Sequence, residues 1–275
     1  MSRDREPLPA NALSAAAIDR VAGSEWPAEM DREWALGGST GAGVRVCVLD
    51  SGVQPDHSDV GPVERAVAVE PDAEGFATVV DDTTGDAYGH GTACAGLIRA
   101  LAPDVTVESV RVLGKEHRGS GGAMLAGLSW AVEQGYDVIN MSLSSTKREL
   151  TAPLQEIADK AYFRRSLIVA SAHNMALKSW PWRFSSVISV GSHDGLDSTE
   201  VFYNPSPPVE FFARGMDLDM PWLGGTRIRA SGNSFATANM SGICALIRAK
   251  HPDLAPFEVK GVLLGIAGNV ERRAG

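Results

Sequence analysis

Val44-Arg45-Val46-Cys47-Val48-Leu49-Asp50-Ser51-Gly52-Val53 is the stretch from which the fold is read. Apart from Arg45, the run Val44 to Leu49 is apolar and rich in valine, which suits a short strand buried on both faces. Such strands belong to parallel sheets covered by helices. Asp50 then stands at the carboxyl end of this strand, where open parallel sheets gather their reactive groups. Just upstream, Gly37-Gly38-Ser39-Thr40-Gly41-Ala42-Gly43 reads as a loop.

Working outward, further strands are expected at Val105–Val112, Val138–Leu143, Leu167–Ala172, Val187–Val190 and Val209–Phe212. Helical stretches lie between and after them. Residues 122–134 carry Leu125, Leu128 and Val132 on one face, and residues 256–266 open with Pro256 at a first helical position and carry Val259, Val262, Leu263 and Ile266. Strands alternating with helices predict an α/β fold with a mostly parallel central sheet flanked by helices. Residues 1–33, rich in Ala, Pro, Glu and Arg, read as an N-terminal lead-in, and residues 34–275 as one domain without internal repeats.

Composition narrows the function. In 275 residues, 44% are apolar, enough for a sizeable core, and 25 basic against 34 acidic side chains leave a net charge of -9. An acidic chain without a basic patch argues against nucleic acid as a partner. The N-terminal residues Met1 to Glu6 are charged, and the apolar run Leu13–Ile18 is too short for a secretory core or a membrane span. No membrane partner and a cytoplasmic location are therefore expected. Cys47, Cys94 and Cys244 are too few for a disulfide or zinc framework and read as small buried hydrophobes in a reducing compartment. No feature specifies an oligomeric state.

Three polar segments at element ends carry complementary chemistry. Asp50 alone is what a turn or a helix cap also uses, but at a strand end it can hold an imidazole. In Gly89-His90-Gly91-Thr92-Ala93-Cys94-Ala95-Gly96 a titratable ring sits among residues chosen for smallness, as a helix starting close to another backbone requires. Imidazole is the side chain suited to general-base work near neutral pH. His57, His117, His193 and His251 lack such a setting and read as surface or satisfied core residues. In Ser231-Gly232-Asn233-Ser234-Phe235-Ala236-Thr237-Ala238, Ser234 falls at a helix start. Serine there is ordinarily an N-cap, yet the unpaired N–H groups and dipole of that end also favour an oxyanion.

Together these segments resemble the subtilisin-like serine peptidase family, whose triad follows the same order, Asp, His, Ser. Asp50-Ser51-Gly52-Val53 resembles its Asp segment, His90-Gly91-Thr92-Ala93-Cys94-Ala95-Gly96 its His segment, and Gly232-Asn233-Ser234-Phe235-Ala236 the Gly-Thr-Ser-Met-Ala around its nucleophile. Between them Arg111-Val112-Leu113, Gly119-Ser120-Gly121, Gly127-Leu128-Ser129-Trp130-Ala131 and Asp137-Val138-Ile139-Asn140-Met141-Ser142-Leu143 keep the family spacing, so that the likeness covers about residues 34 to 270. The resemblance implies a three-layer subtilisin-like fold and a serine endopeptidase with Asp50, His90 and Ser234 as catalytic residues. It also implies an oxyanion donor, at Asn174 in Val169-Ala170-Ser171-Ala172-His173-Asn174. An extended peptide or protein substrate is expected along Gly119, Ser120, Gly121, Ser142, Leu143 and Ser144, facing Ser171, Ala172 and His173.

The chain also departs from the family. Gly96 to Pro103 runs into the next strand where many relatives insert a calcium loop, which leaves Asp59 without co-ligands. No metal and no cofactor are expected. Ala238-Asn239 replaces the Pro-His that usually follows the nucleophile, which implies different packing beneath Ser234. Ser144 and His173 stand where relatives commonly place glycine, implying a narrowed pocket for the residue before the scissile bond. The lead-in is too short for a folding propeptide, which usually needs about 50 residues. These features lead to the expectation of a dedicated intracellular processing protease acting on a precursor or leader peptide. Two alternatives share the residues: a transpeptidase or macrocyclase using the same triad, and a non-catalytic peptide-binding relative.

Overall fold

The computed structural model describes residue 27 and residues 30–271. The lead-in expected over residues 1–33 lies almost wholly outside the described residues. From Asp31 onward the chain forms one compact unit, opening with α1 (Arg32–Leu36), whose first turn is capped by the Asp31 side chain accepting from Trp34 N at 2.7 Å.

The unit is built on a nine-stranded sheet. In chain order its strands are β1 (Arg45–Asp50), β2 (Arg65–Pro71), β3 (Ala77–Asp81), β4 (Thr106–Arg111), β5 (Val138–Met141), β6 (Leu167–Ser171), β7 (Ile188–His193), β8 (Val201–Tyr203) and β9 (Phe211–Arg214). They lie in the spatial order β3-β2-β4-β1-β5-β6-β7-β9-β8. Every pairing is parallel except those of the two edge strands, β3 with β2 and β8 with β9. This is the mostly parallel, helix-flanked sheet expected from the alternating pattern.

The remaining elements are the helices α2 (His90–Leu101), α3 (Gly121–Gln134), α4 (Thr151–Phe163), α5 (Asn233–Lys250) and α6 (Pro256–Gly265), with a separate hairpin of β10 (Leu218–Trp222) and β11 (Thr226–Ala230). Side chains alternate across a strand, so the sheet feeds two cores. Cys47, Leu49, Ile139 and Met141 face one way and pack with Met124, Leu128 and Val132 of α3 and Leu154 and Ala158 of α4. On the opposite face α5 packs against β5, β6 and β7, and α2 lies against α5. The result is three layers, helix, sheet, helix.

The expected strand at 209–212 starts two residues later, at Phe211. Its predecessor Glu210 instead directs its N–H to Ser189 Oγ at 2.8 Å. All three cysteines are free and buried. Among the described residues no helix is long and apolar enough to cross a membrane.

Candidate active site

Asp50 ends β1 at the centre of the sheet, fully buried. Its Oδ1 accepts the Ser51 N–H at 2.7 Å, which fixes the carboxylate plane. His90, the first residue of α2, donates from Nδ1 to both carboxylate oxygens, each at 2.9 Å.

The small residues around His90 are what permit this approach. Gly89 has φ 113°, which only glycine adopts at ease. A Cβ on Gly91 would lie 1.9 Å from the Gly52 carbonyl oxygen, so any larger residue would push α2 off the end of β1. The hairpin β10–β11 covers the other side of the same helix, with Trp222 against Gly89 and Pro221 against Gly96.

Asp86 holds this arrangement and was not singled out from sequence. Its Oδ1 accepts from Ser51 Oγ (2.8 Å), Tyr88 N (2.9 Å) and Gly89 N (2.7 Å), and its Oδ2 from Thr92 N (2.8 Å) and Thr92 Oγ (2.6 Å). The signal was present as an aspartate one turn ahead of a helix start, the position from which a carboxylate satisfies orphan N–H groups.

Ser234 is the second residue of α5. Its Oγ donates to the Ser142 carbonyl at 3.3 Å, and Ser142 Oγ donates back to the Ser234 carbonyl at 2.9 Å. Cys94 Sγ, 3.9 Å from His90 Nδ1, donates to the same Ser142 Oγ at 3.6 Å. Phe235 lies beside His90, ring centroids 5.3 Å apart. The imidazole and the hydroxyl are thus linked through Phe235 and through Cys94 and Ser142, though no hydrogen bond joins His90 to Ser234 here. Catalytic bonds of that kind commonly tighten only when substrate is present.

The start of α5 is pinned by Asn233, whose Oδ1 accepts from Ser192 N and Ser192 Oγ, both at 2.9 Å, and whose Nδ2 donates to Ala172 O at 3.2 Å. Asn174 Oδ1 accepts the Asn233 N–H at 3.2 Å, which leaves the Asn174 amide nitrogen as its free donor. Among the described residues the Ser234 N–H has no partner, as expected of a first-turn amide. Beneath the serine, Ala238 and Asn239 are buried, and Asn239 Nδ2 donates to Arg214 O at 2.7 Å.

Ser234 opens into a cleft of about 560 Å³. Gly119, Ser120, Gly121, Ser142, Leu143, Ser144, Ser171, Ala172, His173 and Asn174 all line it. At one end Ser144 Oγ donates to Ser179 Oγ at 3.0 Å, and Trp182 Nε1 donates to the same oxygen at 2.8 Å. His173 folds back, its Nδ1 accepting from Met175 N at 3.1 Å. Side chains occupy both positions where glycine would leave room.

Burial disfavours the ionised form of Asp50, but His90, with His117 beside it, outweighs it and holds the carboxyl well below its ordinary range. Burial likewise disfavours a charged His90, and the Asp50 charge and hydrogen bond outweigh it, raising the imidazole well above its ordinary value. Burial pushes the Cys94 thiol up, so it stays protonated beside the ring.

His117 overturns its expected role as a bland surface or core histidine. Its Nε2 lies 3.7 Å from Asp50 Oδ1, and its ring stacks on Tyr88 (5.0 Å) and lies tilted against His90 (4.3 Å). Within Lys115-Glu116-His117-Arg118 it reads as part of a solvated charged loop, and only the nearness of Gly119-Ser120-Gly121 hinted otherwise. The other three fit the bland reading. His57 is buried with Nε2 3.0 Å from Trp222 O, His193 Nε2 lies 3.1 Å from Glu200 O, and His251 stacks on Trp34. Asp59 pairs with Arg227, which also bonds Asp219 at 2.9 Å.

Comparison with known proteins adds to this geometry. A family model described as "Subtilase family" matches residues 41–275. Subtilisin DY of Bacillus licheniformis is 31% identical over 248 residues, covering 85% of this chain and 86% of that protein. Subtilisin BL of Lederbergia lenta is 30% identical over 241 residues, covering 84% and 85%. Among solved structures, a cold adapted subtilisin-like serine proteinase superposes with a TM-score of 0.64 at 26% identity over 82% of each chain.

Proposed function

The chain belongs to the subtilase family and is a subtilisin-like serine protease, a hydrolase of peptide or protein substrates, and from that premise we propose that Asp50, His90 and Ser234 are its catalytic triad. Ser234 Oγ leaves the Ser142 carbonyl, gives its proton to His90 Nε2 and attacks the peptide carbonyl carbon. Asp50 keeps the other proton on Nδ1 and stabilises the imidazolium that forms. The Asn174 amide nitrogen and the Ser234 N–H donate to the oxyanion. His90 then passes its proton to the leaving amine, and water, deprotonated by the same nitrogen, releases the acyl group from Ser234.

The observation that carries this reading is the buried Asp50 carboxylate with both oxygens 2.9 Å from His90 Nδ1, while the His90 ring lies 5.3 Å from that of Phe235, the residue after Ser234. The side chains at Ser144 and His173 support a second element, restriction to a small residue before the scissile bond. That restriction supports a dedicated enzyme that trims a precursor or leader peptide.

A peptide set varied at the residue before the cleavage site tests these statements. Mass spectrometry should show two fragments whose masses sum to the substrate plus one water. Alanine or glycine should be strongly preferred over phenylalanine, and Ser234→Ala should yield no product. Equal cleavage after Ala and Phe would remove the narrowed pocket. A product of unchanged composition less its leader would point to transpeptidation instead of hydrolysis.

A further inference from the structure

We propose that Asp50, His90 and His117 form an inhibitory binding site for a borderline divalent transition metal, of which Zn²⁺ is the type. One ligand atom from each of the three lies within 4.8 Å of the others. Asp50 Oδ1 is 2.9 Å from His90 Nδ1 and 3.7 Å from His117 Nε2. Tetrahedral zinc with bonds of about 2.0–2.1 Å sets its ligands about 3.3–3.5 Å apart. The first separation must therefore open and the second close by about half an ångström or less, while the His90–His117 separation, within 4.8 Å, closes by up to about 1.5 Å. Rotation of the His117 ring, carried on a loop outside helix and strand, supplies most of that movement.

A second observation concerns His117 itself. Its Nε2 is buried and has no hydrogen-bond partner among the described residues. The residue sits at φ 54°, a left-handed conformation uncommon outside glycine, and its ring stacks on Tyr88 and lies tilted against His90. The proposed acyl-transfer chemistry has no use for this nitrogen, and Asp50 Oδ1, 3.7 Å away, is beyond hydrogen-bond distance. A metal ion would satisfy it.

The donor set selects the metal class. Two imidazoles and a carboxylate suit zinc, nickel or copper, whereas calcium and magnesium require a shell of oxygens. Three protein ligands leave a fourth position for water. Cys94 donates to Ser142 Oγ and is not among the three residues whose ligand atoms lie within 4.8 Å of one another.

The consequence for activity follows from the imidazole's two nitrogens. In the working tautomer Nδ1 carries the proton and Nε2 the lone pair that takes the proton of Ser234. A metal bound at Nδ1 displaces that proton, and the neutral ring then carries it at Nε2. His90 is no longer a base until the metal leaves. Binding needs only the geometry of the three ligands, while the inhibition rests on the triad reading.

Calorimetric titration of Zn²⁺ into the Ser234→Ala protein reads binding without catalysis. One Zn²⁺ per chain is expected, weakened about tenfold or more by His117→Gln and by His90→Gln, and unchanged by Cys94→Ser. Circular dichroism of each variant confirms that it is folded. In the wild-type protein Zn²⁺ should inhibit peptide hydrolysis reversibly, with EDTA restoring it. Half-inhibition in His117→Gln, measured against that variant's own metal-free rate, should need about tenfold more metal or beyond. No binding at millimolar Zn²⁺, equal binding by folded His117→Gln, loss of binding in Cys94→Ser, or bound metal that leaves hydrolysis intact would each overturn the proposal. His117-dependent binding in a protein that cleaves no peptide would count against the triad while upholding the metal site.

Discussion

Asp50 and His90 each sit in an environment that moves protonation away from the ordinary value. His90 is raised because Asp50 stabilises its cation more than burial disfavours it. The imidazole is therefore protonated below its shifted value and becomes a base only above it. kcat/KM is expected to fall on the acid side along a limb centred above about 6.5, the ordinary imidazole value. Asp50→Asn should slow turnover by about 10⁴, the size known for such triad changes, and move the limb to lower pH. A pH–rate profile of both proteins checks both statements. Asn174→Ala should lower kcat by about 10²–10³, a magnitude established on subtilisin itself, with little change in KM. At this scale the sequence was informative where a reactive residue sat in an unusual setting, as His90 does among glycines and alanines. It was silent on His117 and nearly so on Asp86, because their roles arise from partners 67 and 35 positions distant or from backbone amides in a turn.

The arrangement of elements depends on how closely α2 approaches β1. Gly91→Ala places a methyl group 1.9 Å from the Gly52 carbonyl, with overpacking expected to cost about 1–3 kcal/mol and to displace His90 from Asp50. Urea unfolding with a parallel activity assay should therefore show activity lost well beyond the loss of stability. Asp86→Ala strands several donors at the start of α2, and a destabilisation of about 1–3 kcal/mol is expected by the same measurement. The central strands were legible because burial on both faces leaves runs such as Val44–Leu49. The β2–β3 edge was not. Its alternation is short, its outer residues are exposed, and acidic residues interrupt it. The helix α4 hides behind Pro153, which suggests a break but stands in the first turn, where a missing N–H has no cost. The hairpin β10–β11 carries Pro221 and a Gly224-Gly225 turn, and its strand character comes from lying over α2.

For the molecule as a whole, the three-layer architecture sets His90 against Asp50, 40 positions away, and beside Phe235, the residue after Ser234. The parallel sheet places Asp50 at its rim, and α2 and α5, packed on one another, present His90 and Ser234 from their N-terminal ends. Arg227 meets the Asp59 charge, so added Ca²⁺ should leave thermal unfolding of the EDTA-treated protein unaltered, a result checked by calorimetric scans with and without Ca²⁺. A marked rise in Tm with Ca²⁺ would contradict that pairing. The central claim is that Asp50, His90 and Ser234 act as one unit, and the most direct test is labelling with a fluorophosphonate probe followed by peptide mass spectrometry. One phosphonyl group per chain, on Ser234, with labelling abolished in His90→Ala and strongly slowed in Asp50→Asn, is the predicted result. Labelling on another residue, or at unchanged rate without His90, would contradict it.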